Sequence, residues 1–208
     1  MSLGGERPPL TVIGAGGHAK VVIATARAAG WEIAGVVDDD PKLWATQLLE
    51  ALVTGPCEEA LRDPARTCVL AIGSNATRRR LAALARCRFA SVVHPSATVH
   101  ASVVLGAGTV VFAQAAIQPD TRIGAHGIVN TAASIDHDCT LGEAVHVAPG
   151  ARLAGGVTLG DEVFIGIGAV VIPNIAIGAR TTIGAGAAVV RPLPADVIAV
   201  GVPAEPRR

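Results

Sequence analysis

The chain has 208 residues, of which half are apolar and only 2% are aromatic, with no tyrosine. Its 17 basic residues balance its 17 acidic ones, so charge gives no reason to expect a nucleic acid or a membrane surface as partner. No apolar run approaches the roughly 20 residues of a membrane span, and the start lacks a signal-peptide hydrophobic stretch. Together with four widely separated cysteines, expected to be reduced, this predicts a cytoplasmic protein of one or two domains.

Residues 1–90 predict a small Rossmann-like α/β domain. Strands are expected at 10–13, 33–37 and 68–72, and helices at 21–29 and 77–86. Alternating strands and helices favour a parallel sheet. Three strands make one mononucleotide-binding half rather than the two halves that hold a dinucleotide, so we expect a nucleotide other than NAD.

A glycine-rich loop, Gly14-x-Gly16-x-x-Ala19, follows the first strand and precedes the first helix. Its glycines allow a phosphate to approach the backbone, and the helix start offers unpaired N–H groups. On this motif alone, NAD, another nucleotide and a purely structural turn remain open. The candidate ligands of the nucleotide come from this loop and from the ends of the next two strands: Gly14, Gly16, Gly17, His18, Lys20, Asp38, Asp39, Gly73 and Asn75.

Residues 91–208 follow a six-residue period. Seventeen consecutive hexads run from residue 93 to residue 194, and the first position of every hexad is aliphatic. Glycines recur once in every three hexads, at Gly106, Gly124, Gly142, Gly160 and Gly178. Three hexads therefore make one structural unit. The pattern predicts an all-β prism with three short strands per coil, aliphatic side chains inside, and coils stacked roughly 4.8 Å apart.

His137 interrupts the small residues of this pattern with a carboxylate on each side, Asp136 and Asp138. A neighbouring carboxylate holds an imidazole in one tautomer and raises its basicity, so His137 is the candidate general base, with an exposed corner histidine as the alternative. Gly155, three hexads later, is expected on the same corner with its N–H toward an oxyanion. His146 is half a coil away and joins the same site only from a neighbouring chain, which predicts an oligomer.

A zinc site is the other interpretation of the histidines, because γ-class carbonic anhydrases place three histidines on this kind of coil. The nearest neighbours among the histidines of this region are the pairs His94 and His100, His137 and His146, and His126 and His137. No pair has the five-position spacing that the zinc pattern requires, so we expect no metal.

Five motifs together resemble the sialic acid O-acetyltransferase NeuD family of left-handed β-helix acyltransferases, over nearly the whole chain. They are Val12-Ile13-Gly14-Ala15-Gly16-Gly17-His18, Val37-Asp38-Asp39, Ala71-Ile72-Gly73-Ser74-Asn75, Ile135-Asp136-His137-Asp138-Cys139 and Gly201-Val202-Pro203-Ala204. Within that family, the chain is most similar to the nucleotide-amino-sugar N-acetyltransferases of the PglD and PerB type.

The resemblance implies roles for residues that spacing alone does not assign. His137 would be the base, Asp138 would orient it where bacillosamine enzymes carry the longer glutamate, and Gly155 would stabilise the oxyanion. Acetyl-CoA would contact His146, Gly155, Ile167, Gly168 and Pro173. The nucleotide would lie on the glycine-rich loop with Asp38 and Asn75, and Asn130 would touch the sugar. Homotrimers with sites at subunit interfaces are the family habit.

The sequence therefore predicts a Rossmann-like nucleotide-sugar-binding domain at 1–90 and a left-handed parallel β-helix with the acetyl-CoA and catalytic sites at 91–208. The predicted activity is N-acetylation of a nucleotide-linked 4-amino-4,6-dideoxy-sugar, in cell-surface polysaccharide biosynthesis. Alternatives are an O-acetyltransferase for a free sugar such as sialic acid, and a non-catalytic scaffold that senses a nucleotide. The base and the sugar stay open, and the tail after Pro203 is expected to be flexible.

Overall fold

A computed structural model describes residues 7–207 of the chain. The N-terminal part is a parallel sheet in the order β2-β1-β5-β6, with one α-helix packed between it and the C-terminal part and two α-helices on its other side. Its strands are β1 (Leu10–Ile13), β2 (Ile33–Val37), β5 (Thr67–Leu70) and β6 (Arg88–Phe89), and a small hairpin consists of β3 (Gln47–Leu48) and β4 (Ala51–Leu52). The helices are α1 (Gly17–Ala28), α2 (Cys57–Arg62) and α3 (Asn75–Leu84), with a short 3-10 turn at Pro41–Leu43.

The C-terminal part is a parallel β-helix with three flat faces, which confirms the predicted fold class. Face 1 consists of β7 (Val92–Val93), β10 (Val110–Val111), β13 (Ile128–Val129), β16 (His146–Val147), β19 (Phe164–Ile165), β22 (Thr182–Ile183), β24 (Ile198–Val200) and β25 (Glu205–Pro206). Face 2 consists of β8 (Thr98–Val99), β11 (Ala116–Ile117), β14 (Ser134–Ile135), β17 (Arg152–Leu153), β20 (Val170–Val171) and β23 (Ala188–Val189). Face 3 consists of β9 (Val104–Leu105), β12 (Arg122–Ile123), β15 (Thr140–Leu141), β18 (Thr158–Leu159) and β21 (Ala176–Ile177).

Strands on one face pair in register at intervals of three hexads, as in Val110 with Ile128 and Ile128 with His146. The second residue of each strand from β7 to β24 points inward, and the aliphatic residues of the hexads form one continuous core from Val111 to Ala204. We name the corners by the faces they join: edge 1–2, edge 2–3 and edge 3–1. Residues three hexads apart lie on the same edge because every coil repeats the same three sides.

The N-terminal part packs on face 1. Its core joins β1 and α1 to outward-facing residues of that face, including Val92, Val110 and Ile128. The position below Ile128 on the same outward row is His146, and the next is Phe164. Face 1 therefore carries apolar residues against the N-terminal part on its first coils, and a histidine, His146, near His18 at the end of the glycine-rich loop.

The prediction of a flexible tail after Pro203 is wrong. Ala204 is 1% exposed and its N–H donates to the Ala188 carbonyl. Strand β25 pairs antiparallel with β24, and Glu205 forms an ion pair with Arg191. The tail thus covers the open end of the aliphatic core, which would otherwise face water. No helix in residues 7–207 has the length and apolar character needed to cross a membrane.

Candidate active site

The glycine-rich loop connects β1 to α1 in a conformation that requires glycine at one position. Gly14 has φ +103, and a Cβ there would lie 3.0 Å from the Ala71 carbonyl oxygen. Helix α1 begins after Gly16 without a side-chain cap and without an acidic residue in its first turn. Its first N–H groups are therefore available to an anion.

A cleft of about 430 Å³ opens where β1, β2 and β5 end. Seven of the nine predicted nucleotide ligands line it: Gly14, Gly16, Gly17, His18, Asp38, Asp39 and Gly73. Lys20 lies further along α1 with an exposed side chain. Arg80 of α3 also lines the cleft, and sequence reasoning missed it because one arginine in a basic helix gives no signal of its direction.

Two carboxylates organise this cleft. Asp38 Oδ2 accepts from the Ala15 N–H at 2.7 Å and its Oδ1 accepts from the Asp40 N–H at 2.9 Å. Asp39 Oδ1 accepts from the Cys57 N–H at the start of α2, at 2.8 Å. Asp38 thereby holds the glycine-rich loop against the end of β2. Each oxygen keeps a further lone pair, so a ribose hydroxyl can still donate to it.

Asn75 lies elsewhere. Its Nδ2 donates to the carbonyls of Glu162 and Val163 at 2.9 and 3.1 Å, and its Oδ1 accepts from Arg78 Nη2 at 3.0 Å. Both donors of the amide are thus occupied by the β-helix backbone. The structure thus places Asn75 between the two parts of the chain. The sequence had instead predicted that Asn75 contacts the ribose or the base in the cleft.

A cluster of three polar side chains, His18, Asn130 and His146, lies between the glycine-rich loop and face 1. The rings of His18 and His146 are 6.2 Å apart, and Asn130 Nδ2 donates to His146 Nε2 at 3.1 Å. Phe112 and Phe164 pack edge-on against the two rings. Within the described part of the chain, His18 Nε2 and His146 Nδ1 are buried without a hydrogen-bond partner.

Both histidines are neutral at neutral pH. Burial and the nearby Arg78 charge lower the pKa of His18 to about 4. Burial, Arg78 and His18 lower the pKa of His146 to about 3, and His146 is 8% exposed. A neutral imidazole with an unused buried nitrogen is able to hydrogen-bond a polar ligand, since such a nitrogen otherwise carries a desolvation cost.

His137 lies on edge 2–3, between β14 and β15. Its Nδ1 is 2.7 Å from Asp138 Oδ2, and Asp136 Oδ1 accepts from the His137 N–H at 2.9 Å. The hydrogen bond to Asp138, followed by the charge of Asp136, raises the pKa of His137. With Nδ1–H donating to Asp138, Nε2 keeps its lone pair, and the side chain is 60% exposed. In this tautomer, the Nε2 atom of His137 is able to accept a proton from a ligand.

Gly155 lies under the His137 ring, one coil further along the same edge. A Cβ added to Gly155 would be 2.6 Å from His137 Cε1 and 2.7 Å from Nε2. Gly155 is buried, yet its N–H finds no acceptor among residues 7–207. At equivalent corner positions, a side-chain oxygen accepts from the N–H of Thr131 and of Glu143, whereas the N–H groups of Ala125 and Ile167 have no acceptor among the described residues. Gly155 is thus one of several corner residues with an unpaired N–H, and it is the one that lies against the His137 ring.

Comparisons with known proteins match both parts of the chain. Residues 9–84 match the PglD N-terminal domain, and residues 156–191 match the bacterial transferase hexapeptide repeat. A UDP-N-acetylbacillosamine N-acetyltransferase of Bacillus subtilis (strain 168) is 40% identical over 114 residues, and the match spans about half of each protein, 50% of this chain and 51% of the relative.

Solved structures match over the whole chain. PerB from Caulobacter crescentus, in complex with CoA and GDP-perosamine, is 44% identical with a TM-score of 0.90, over 100% of this chain and 99% of that one. The acetyltransferase domain of PglB from Neisseria gonorrhoeae FA1090, in complex with acetyl coenzyme A, is 37% identical with a TM-score of 0.88, over 96% and 98%. The chain belongs to the PglD/PerB family of acetyl-CoA-dependent sugar N-acetyltransferases. The resemblance predicted from the sequence is confirmed.

The PerB structure contains CoA and that of the PglB domain contains acetyl coenzyme A. In this chain, the residues predicted to contact acetyl-CoA lie on two edges of the prism. Pro173 is on edge 2–3 with His137 and Gly155. Ile167, which is 56% exposed, and Gly168 lie on edge 1–2. Face 2 separates the two edges, so the structure does not bring these residues together within one chain.

The same separation applies to the polar residues. His146 points outward from face 1 and Asn130 is on edge 1–2, whereas His137 is on edge 2–3. Residues 7–207 contain no group of three or more His, Cys, Asp or Glu side chains able to hold a metal ion.

Proposed function

We propose that this protein transfers the acetyl group of acetyl-CoA to the amino group of a nucleotide-linked 4-amino-4,6-dideoxy-sugar, with His137 as general base. The observation that carries the proposal is the contact of His137 with Gly155, which puts a basic nitrogen and a free N–H side by side. The relatives are N-acetyltransferases, which favours amide formation over transfer to a sugar hydroxyl.

The reaction needs no covalent bond between the acetyl group and the enzyme. The neutral amine attacks the thioester carbonyl, and His137 Nε2 takes its proton as the C–N bond forms. The Gly155 N–H stabilises the tetrahedral oxyanion, a contribution worth about 3 kcal/mol where such a donor has been removed in other enzymes. Collapse of the intermediate breaks the C–S bond, and the thiolate of CoA takes the proton from the imidazolium. Cys139 is buried in the core with a raised pKa, so it is a poor nucleophile.

The cleft beside the glycine-rich loop suits a nucleoside diphosphate. The N–H groups at the start of α1 and the Arg80 guanidinium offer positive charge to the two phosphates. Asp38 and Asp39 line the same cleft at the end of β2, where a ribose hydroxyl can donate to them. The sugar would then extend from the diphosphate toward His18, Asn130 and His146.

We further propose that the site is completed at the interface of a homotrimer. His137 and Gly155 would come from one subunit, and His146 and Asn130 from the next. The separation of these residues within one chain supports this assembly. The pantetheine of acetyl-CoA would lie near Ile167, Gly168 and Pro173 in the groove between subunits. Residues 1–90 would hold the nucleotide sugar, residues 91–208 would hold acetyl-CoA, and the enzyme would work in the cytoplasm.

A thiol-release assay with acetyl-CoA tests the proposal. The acceptors are 4-amino-sugars linked to uridine, guanosine and thymidine diphosphates, with mass analysis of the product. We expect release of CoA with at least one carrier and an N-acetylated sugar as product, and we expect none with His137→Ala. Nucleotide binding without release of CoA would favour the scaffold, and acetylation of a free sugar hydroxyl would favour the O-acetyltransferase.

A further inference from the structure

Arg78, in the second turn of α3, is a fully buried arginine, 1% exposed. Burial lowers its pKa to about 10, so it stays protonated at neutral pH. No carboxylate within residues 7–207 forms an ion pair with it. A buried cation without an ion pair lowers stability unless hydrogen bonds compensate, so the acceptors of the Arg78 guanidinium decide what this residue does.

The guanidinium bonds the wall of the nucleotide cleft. Arg78 Nη1 donates to the carbonyls of Ile72 and Gly73, at 3.0 and 3.3 Å. Both residues line the cleft, and Ile72 lies beside Gly14 of the glycine-rich loop. Because their carbonyls are held, the loop after β5 cannot move away from the bound nucleotide without breaking these bonds.

The same guanidinium bonds the β-helix. Arg78 Nη2 donates to the Ala144 carbonyl at 2.7 Å and to the Val145 carbonyl at 3.4 Å, and its Nε donates to the His126 carbonyl at 2.8 Å. Ala144 and Val145 immediately precede His146. The planar guanidinium of Arg78 therefore joins the cleft to the coil that carries His146.

Neighbouring residues of α3 hold the helix to edge 3–1 but do not reach the cleft wall. Arg79 forms ion pairs with Asp161 at 2.9 Å and with Glu162 at 3.1 Å. Asn75 bonds the backbone of the same corner. Within the described residues, Arg78 is the one side chain of α3 that hydrogen-bonds both the cleft wall and the β-helix.

We propose that Arg78 is a positioning residue that sets the distance between the diphosphate-binding cleft and the wall beside His146. A nucleotide sugar spans these two places as one covalent unit, so a shift of the cleft displaces the amino group from the base. A displacement of about 1 Å is enough to lower turnover severely. The expected change in kinetics rests on the proposed function. The role of Arg78 in holding the cleft wall against the β-helix does not.

The test compares Arg78→Met, Arg78→Lys and the control Arg86→Met, which alters an exposed arginine just beyond α3. We expect Arg78→Met to raise the KM for the nucleotide sugar about tenfold or more and to lower kcat, with the KM for acetyl-CoA changed less than about twofold. Arg78→Lys is expected to be intermediate, because one ammonium reaches fewer carbonyls. Arg86→Met is expected to match the wild type.

Hydrogen exchange gives a second readout that needs no turnover. We expect faster exchange at 70–78 and 143–147 in both Arg78 variants and unchanged exchange in the coils after Leu153. Equal changes in both KM values, or exchange that rises along the whole chain, would show a general stabilising role and overturn the proposal. If the wild type acetylates no nucleotide amino sugar, the proposed function fails, and exchange in these two segments still decides the role of Arg78. If Arg78→Met is insoluble, Arg78→Lys provides both readouts.

Discussion

The imidazole of His137 occupies the space that a side chain at residue 155 would need, since a methyl group on Gly155 would lie 2.6 Å from His137 Cε1. We expect Gly155→Ala to push the ring away from its position and to lower kcat about 100-fold or more, with little change in nucleotide affinity. Steady-state kinetics measure the effect.

Gly55→Ala is the matched control for this substitution. No atom lies within 4 Å of a Cβ built at Gly55, and its backbone needs no left-handed conformation. The control is expected to retain wild-type kcat. Equal activity in the two variants would contradict the placement of His137 over Gly155.

The pH dependence of the rate reports the pair of His137 and Asp138. Asp138 raises the pKa of His137, and the base works only when neutral, so activity rises with pH through that pKa. Asp138→Asn keeps the shape and suits the left-handed backbone at φ +59. We expect its acid limb to move to lower pH and its plateau rate to fall. A profile of kcat/KM against pH checks the direction, and an upward move would contradict the assignment.

Mixed oligomers test whether two subunits share each site. His137→Ala and His146→Ala are each expected to lose most activity. When equal amounts of the two are co-expressed, a site with His137 from one chain and His146 from the next recovers activity, up to about a quarter of the wild-type value by random assembly. Each variant alone is the control. No recovery in a verified mixed oligomer would place both histidines in one chain's site.

The contribution of Arg80 to the diphosphate site is open to a direct comparison. Arg80→Gln is expected to raise the KM for the nucleotide sugar about tenfold and to reduce its dependence on salt, because a charged contact to phosphate is lost. Arg86→Gln removes an exposed charge outside the cleft and serves as control. Equal KM values for the two variants would remove Arg80 from the site.

Buried histidines make stability depend on pH. Burial and Arg78 lower the pKa of His18 and His126 to about 4, and burial with Arg78 and His18 lowers that of His146 to about 3. The unfolded chain binds these protons near pH 6.5, whereas the folded chain does not. The free energy of unfolding is therefore expected to fall as pH drops from about 6.5 to 4, by at most about 1.4 kcal/mol per pH unit for each histidine.

Urea denaturation near neutral pH and near about pH 5 measures this slope. His126→Asn suits the left-handed backbone at φ +59 and removes one titrating group. Its slope is expected to be shallower than that of the wild type, although the variant is less stable at every pH. An unchanged slope would exclude His126 as a source of the dependence.

The geometry of the coils and the stacking of His137 on Gly155 could be predicted from the six-residue period. A repeat of three equal sides places residues three hexads apart on one edge, so His137 and Gly155 follow from counting. The glycine-rich loop and Asp38 were predicted to meet because parallel strands end at one edge of the sheet. These relationships depend on local periodicity or on adjacent strands.

Other features depended on contacts between segments far apart in the chain, and the six-residue period carries no information about such contacts. The sequence did not show that Asn75 turns toward the β-helix, that Arg80 faces the cleft, or that Ala204 closes the core.

The repeating prism, the order of its edges and the glycine-rich turn after β1 could be predicted from residue spacing, because each depends on residues a fixed number of positions apart. The docking of the N-terminal sheet on face 1, and the cation that joins it there, depend on contacts that form only in the folded chain. That docking depends on the match between the shape of α3 and the carbonyl groups of one corner, and the guanidinium of Arg78 meets those groups only once the two parts of the chain have docked.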